Sequence, residues 1–367
     1  GTDWRDTSRK VLEQFESVRT PDDHFTLGFL YITDALAADA GSILTLFKSV
    51  TGIEHWVGAS GLGVIASGQE FVDQPAISAM IARFEAGSFR VIKALHTDQN
   101  EIKKELKPWM DRHEPMLTLL HGDPASSNHP EWAIGKISEM IGGFIAGGLT
   151  SSRNVHAHIA DGVLTEGFSG VTFESGVAVS AALSQGCEIV GKTHTITRAD
   201  DHIILEIDGR KPDDVFTDTL QELVRHKTGK DPESVLVEGT MIPPEFQHLF
   251  RGDMHVAFPV EGSDTGDFMV RNIVGIAPED GYMAVTHRCK AGDRVMFVHR
   301  DDDSTRTDLS RTLVTLRKRV QAQNGIFAPK GAIYISCVAR AMAEFSPGIK
   351  GGEMALVREI IGDIPLT

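Results

Sequence analysis

Apolar residues fall in short runs alternating with amphipathic stretches, and one order recurs: apolar strand, polar loop, amphipathic helix, second apolar strand. In the first copy residues 27–32 form the strand, Ile43, Leu44, Phe47 and Val50 the helix stripe, and residues 56–65 a glycine-studded return. The second runs through residues 116–120, a loop at 121–130, the stripe Ala133, Ile137, Met140 and Ile141, and a return at 144–149 containing Gly147 and Gly148. The third takes residues 295–298, a loop at 301–304, the stripe Leu309, Leu313, Leu316 and Val320, and residues 332–337. That last segment opens a fourth copy, with the stripe Leu356, Val357, Ile360 and Ile361 and a strand beginning at 364–367. Ahead of them all, Val11, Leu12, Phe15 and Val18 mark an accessory helix ending before Pro21.

Stretches at 76–84, 170–183 and 269–284 carry β-branched residues between glycines and read as antiparallel strands. The pattern predicts an α/β fold with mixed sheets: two related lobes built from repeated strand-helix-strand units plus antiparallel hairpins, joined near Pro243 and Pro244. The expected division is an accessory helix at 1–20, an N-terminal lobe at 21–215 and a C-terminal lobe at 216–367.

Charge narrows the function. Thirty-six basic against 51 acidic residues give a net charge of −15, which repels nucleic acid and anionic lipid. Three widely spaced cysteines, Cys187, Cys289 and Cys337, write neither a disulfide framework nor a zinc knuckle, and are expected as free thiols in a cytoplasmic protein. Residues 1–10 lack the charged head and apolar run of a signal peptide, and no apolar run reaches the roughly 18 residues of a membrane span.

Particular residues carry a resemblance. Gly58-Ala59-Ser60-Gly61-Leu62-Gly63 forms a Gly-x-Ser-x-x-Gly return, echoed by Ala146-Gly147-Gly148; Ser184-Gln185-Gly186-Cys187 and Asp208-Gly209-Arg210-Lys211-Pro212 follow. Further on come Val298-His299-Arg300-Asp301 with Asp308-Leu309, and Cys337-Val338-Ala339-Arg340. In this order, from about residue 25 to 367, the chain resembles the FIST family. It departs at Val64, where many relatives are acidic, and at Ala341, where glycine commonly follows the arginine, and the family's closing strand is expected beyond Thr367. The resemblance implies a non-catalytic sensory module for a small ligand, an amino acid or other small anion, that reports to a separate signalling protein such as a histidine kinase or a cyclic-dinucleotide enzyme. One branch of the family binds haem and senses nitric oxide, so haem is the alternative ligand; an enzyme of the same fold is a second alternative.

The residues themselves argue against catalysis. Gly61-Leu62-Gly63-Val64-Ile65-Ala66 matches a dinucleotide fingerprint, but Gly68 and Pro75 interrupt the helix that must follow, which leaves a tight strand. Ser60 lacks the second glycine of a nucleophile elbow, since Leu62 stands there. Asp301, Asp302 and Asp303 precede a helix and cap it rather than form a calcium loop. Fifteen histidines include His156-Ala157-His158 and the loop pair His121 and His129, but no spacing writes a metal or haem site. The candidate ligand-binding residues are therefore Gly58, Ser60, Gly61, Asp123, Gly147, Gly148, Arg300, Asp301, Cys337 and Arg340, with Asp34 and His121 nearby on the loops. They are expected to line a crevice between the lobes, with Arg300 offering a bidentate fork to an anionic group.

Overall fold

The computed structural model describes residues 3–20, 22–66, 68–95, 99–125, 130–234, 253–260, 268–337 and 352–367. The chain forms two compact units, one of Gly1–Ala181 with Val320–Thr367, the other of Ala182–Arg319. Among the described residues no helix is long and apolar enough to cross a membrane.

The first unit opens with α1 (Trp4–Val18), β1 (Leu27–Thr33), a short 3-10 turn, α2 (Ala40–Thr51) and β2 (His55–Gly61), followed by β3 (Gly63–Ala66), β4 (Gln69–Val72), β5 (Ile77–Ala82) and β6 (Phe89–Leu95). It continues through α3 (Gln99–Met110), β7 (Pro115–Gly122), α4 (Pro130–Ile141), β8 (Phe144–Leu149), β9 (His158–Ala160), β10 (Val163–Leu164) and β11 (Phe168–Glu174). One sheet has the order β10-β9-β2-β1-β5, a second β6-β11-β7-β8, and β3-β4 stands apart.

Strand alternation sorts the side chains into layers. Leu27 and Phe29 of β1 pack with Val57, Val91, Leu119 and Val171, drawn from both large sheets, so the sheets lie face to face. Leu30 and Ile32, pointing the other way, meet Leu12 of α1 and Ile43, Leu44 and Phe47 of α2. On the far side Ile92, Leu95, Leu120 and Phe168 meet Leu106 of α3 and Ala133, Ile137 and Ile141 of α4. The unit is thus four layers, helix, sheet, sheet, helix.

The first two repeats are equivalent in register. β1 and β2 pair in parallel with Leu30 opposite Gly58, and β7 and β8 pair in parallel with Leu120 opposite Gly147. Both glycines are required, because a Cβ on Gly58 would lie 1.8 Å from the Leu30 carbonyl oxygen and one on Gly147 1.8 Å from that of Leu120.

The second unit holds β12 (Glu188–Asp200), β13 (Ile203–Ile207), α5 (Pro212–Thr228), β14 (Asp253–Pro259), β15 (Phe268–Ala277), β16 (Tyr282–Val285) and β17 (Arg294–Arg300). Its strands close into a barrel of order β12-β13-β16-β15-β14-β17 around Ile196, Val256, Met283 and Phe297. α6 (Asp302–Asn324) follows, and α7 (Gly352–Ile361) lies in the part of the chain that belongs to the first unit.

The mixed α/β architecture in two units is as the pattern predicts, but the third copy is realised differently. Its strand, β17, is flanked antiparallel by β12 and β14, so no parallel return is left to pair with it. Residues 332–337 carry a single bridge, Ala332 to Leu366, extended by bonds from Tyr334 N–H to the Thr367 carbonyl and from Thr367 N–H to that of Ala332. Cys187, Cys289 and Cys337 are free, the first two buried.

Candidate functional site

The two parallel strand pairs of the first unit point their C-terminal ends the same way, and there the facing sheets part to leave a cavity of about 220 Å³. Such an end is where parallel strand-helix-strand units collect ligands. Tyr31 and His121 line it, and they occupy matching register positions, one opposite Ala59 and the other opposite Gly148. Their rings meet edge to face, 5.4 Å between centroids, with the Tyr31 hydroxyl 3.2 Å from His121 Nε2.

Burial fixes the protonation of this pair. His121 is buried, which pushes its pKa down to about 4, helped by the nearby His158 and opposed by a bond to the Gly148 backbone. The imidazole is therefore neutral at ordinary pH: one ring N–H serves the Gly148 carbonyl, and Nε2 accepts from Tyr31. Burial raises the Tyr31 phenol above its usual range, so it too stays neutral.

Around this pair Ser60 is buried, and its Oγ accepts the Ala157 N–H at 3.0 Å. The Ser60 N–H donates to the Ala157 carbonyl at 2.7 Å, so this serine also fastens β2 to the segment before β9. β3 and β4 form one wall, tied at their base where the Leu62 N–H donates to Ser151 Oγ at 3.0 Å. The remaining wall comes from the C-terminal stretch: the Tyr334 hydroxyl donates to Glu353 Oε2 at 2.6 Å, and that of Ser336 to the same oxygen at 3.3 Å. Glu70, on β4, accepts the Met354 N–H at 3.2 Å; partial desolvation by its neighbours holds its carboxyl above the usual range although the side chain stays exposed, and the Glu353 charge adds to the effect.

Of the residues singled out in the sequence, Ser60, Gly61 and Gly148 line the cavity, while Gly58 and Gly147 back onto the neighbouring strands behind it. Asp123 lies just past β7, buried, accepting the Ala125 N–H at 3.0 Å, and is not in the lining. Asp34 is likewise spent, gripped by Arg153 through Nε at 2.8 Å and Nη2 at 3.0 Å. Cys337 is exposed, and Arg340 lies outside the described residues, as does His129.

Arg300 and Asp301 are in the second unit. Arg300 Nη2 donates to the Gln185 carbonyl at 3.3 Å, and Asp308 takes the Gly186 N–H at 2.9 Å and the Ser184 hydroxyl at 2.8 Å. The Ser-Gln-Gly-Cys loop is thus held by residues from the other end of the sequence. Asp301 accepts the Ser304 N–H at 2.7 Å as a cap of α6. With Glu188 and His299 it could form a metal-ligating trio, but Lys227 Nζ stands 2.5 Å from Glu188 and 3.0 Å from Asp301 and supplies the cation itself.

Sequence reasoning missed Tyr31, Glu70, Tyr334 and Glu353. Aligning the two repeats would have found Tyr31, since it stands where His121 stands; the other three sit on a hairpin and on C-terminal segments whose neighbours only folding supplies.

Residues 26–210 match the FIST N domain and residues 218–367 the FIST C domain. An uncharacterized protein of Mycobacterium bovis is 26% identical over 319 residues, covering 85% of this chain and 75% of its own. One from Mycobacterium tuberculosis is 25% identical over 317 residues, covering 85% and 76%. The chain belongs to the FIST family, whose N and C domains are non-catalytic sensory modules of signal transduction.

Proposed function

We propose that this chain senses a small ligand held in the cavity of the first unit and reports it to a separate cytoplasmic signalling protein, a histidine kinase or a cyclic-dinucleotide enzyme. The observation that carries the reading is the composition of the cavity. Residues of the FIST N region, from Tyr31 to Ser151, and of the FIST C region, from Tyr334 to Thr367, line the same space within one compact unit. A ligand there touches both regions at once, which is what a sensor needs if binding is to alter how they pack.

The lining also bears on ligand chemistry. Among its described residues are Glu70 and Glu353 and no lysine or arginine, around the neutral pair Tyr31 and His121. Of the ligands the family resemblance implies, this favours an amino acid, met through its ammonium group, over a simple anion. The haem alternative gains nothing here: His121 is the histidine of the described lining, and both its ring nitrogens are engaged. Iron would need one of them free.

A thermal-shift screen against amino acids and small carboxylates, followed by calorimetry, tests the reading. An Ala59→Leu substitution, which fills the cavity from the floor of β2, should abolish binding while Arg300→Ala leaves it unchanged. A ligand that ignores Ala59→Leu but loses about tenfold or more in affinity on Arg300→Ala would move the site to the second unit.

A further inference from the structure

The wall formed by β3 and β4 is built unlike the others. β1, β2, β7 and β8 belong to the two large sheets, whereas β3 and β4 pair only with each other, Gly63 opposite Val72 and Ala66 opposite Gln69. A two-stranded hairpin is marginal by itself, so its position depends on what fastens it.

β3 lies against β1 and β5, and among the described residues the hairpin is held by a small set of further contacts. At the base, Leu62 is tied to Ser151, Arg153 Nη1 stands 2.8 Å from Asp73 Oδ1, and Val64 is buried. Away from the base, Glu70 Oε1 takes the Met354 N–H in the first turn of α7. Amides of a first helical turn have no partner within the helix, and they favour a carboxylate. Gly352 takes φ +57°, which favours glycine, and a Cβ there would stand 2.3 Å from Glu70 Oε1 and push that flexible side chain aside. A Cβ on Gly68 would likewise meet Arg358 of α7 at 2.4 Å.

We infer that the β3–β4 hairpin is a lid over the cavity and that Glu70 is its latch, so that a ligand enters when Glu70 leaves the first turn of α7. Closing the lid over a ligand then fixes the start of α7, which lies in the FIST C region, from a hairpin that lies in the FIST N region. The latch is the short path by which occupancy of the cavity reaches the C-terminal segment. The inference takes the cavity as the ligand site, yet its test needs no ligand, so the two readings fail separately.

The test places a thiol inside the cavity by Ala59→Cys in a Cys337→Ser background, where the remaining cysteines are buried, and measures its rate of labelling by a small thiol reagent in the full chain. Adding Glu70→Ala should speed labelling about fivefold, the size expected for losing a helix cap. Adding Glu70→Gln, whose amide oxygen still accepts the Met354 N–H, should leave the rate as it was. Equal rates in all three proteins would overturn the latch. Hydrogen exchange provides a second reading without the introduced thiol: Glu70→Ala alone should speed exchange at residues 62–73 and 352–356, with β1 and β7 unchanged. No acceleration there, or equal acceleration throughout β1 and β7, would also overturn it.

Discussion

The two strand-helix-strand repeats of the first unit share a register and a glycine, yet they present different chemistry to the cavity. β1–α2–β2 offers Tyr31, and β7–α4–β8 offers His121 at the matching position. One repeat ends in an ionic clasp, Asp34 to Arg153; the register-equivalent of Asp34 in the other is Pro124, which can make none. The packed repeat is set by sterics that both copies obey, while the side chains at its open end are free to diverge. β2 also lies inside its sheet between β1 and β9, whereas β8 is the edge of its own.

The sharpest way to break the equivalence is at the glycines. Gly58→Ala should cost about 3 kcal/mol or more, because β2 is hemmed in on both sides; Gly147→Ala should also destabilise but cost less, because an edge strand can shift. Urea melts of both variants measure this, and equal costs would mean that edge and centre are equally rigid.

The Tyr31 and His121 positions should differ in their response to acid. His121 has a folded pKa of about 4 against an ordinary 6.5, so the unfolded chain binds its proton first as pH falls. Stability should be full above about pH 6.5 and decline by up to about 3 kcal/mol as pH approaches 4. His121→Gln should remove most of that slope, and a slope that survives the substitution would assign it to other groups.

Arg153→Ala should destabilise the fold measurably, since it leaves the buried Asp34 carboxylate without its cation, but by less than for a fully buried pair because Arg153 is exposed. The Arg153 bonds hold the Asp34 pKa below its ordinary value. The clasp is therefore present above the unfolded carboxylate pKa and is lost as pH falls through the folded one. The difference between wild type and variant should vanish there, which pH-dependent melts can follow.

Tyr31→Phe is expected to be the mildest of these changes, about 1 kcal/mol, because one buried acceptor on His121 loses its donor. Chemical denaturation reads the loss, and the Nε2 resonance of His121 should shift with it.

Much of this first unit was legible in the sequence. Helical spacing located α1, α2 and α4, and the small residues at 58–61 and 147–148 marked the returning strands, because a backbone that must approach another at van der Waals distance leaves no room for a side chain. Candidate residues chosen on that ground, Ser60, Gly61 and Gly148, do line the cavity. Those chosen for charge fared differently. Asp34 and Asp123 read as open loop carboxylates, but one is neutralised by Arg153, far along the chain, and the other turns back on the N–H of Ala125 two residues on. Residues 295–298 looked like the earlier strands because an apolar run does not say which strands will flank it.

By itself, then, the sequence determined α1, α2, α4, α6 and α7, the first two paired repeats, the required glycines and the family, all of which depend on local periodicity, local sterics or residue order. Tertiary structure alone decided that two sheets stack face to face and bring Tyr31 against His121. It also decided that residues 320–367 return to the first unit and supply the carboxylate of Glu353 and the helix that Glu70 caps. Those contacts join positions far apart in the chain, and what selects them is the burial of complementary faces, a property of assembled layers that no single segment carries.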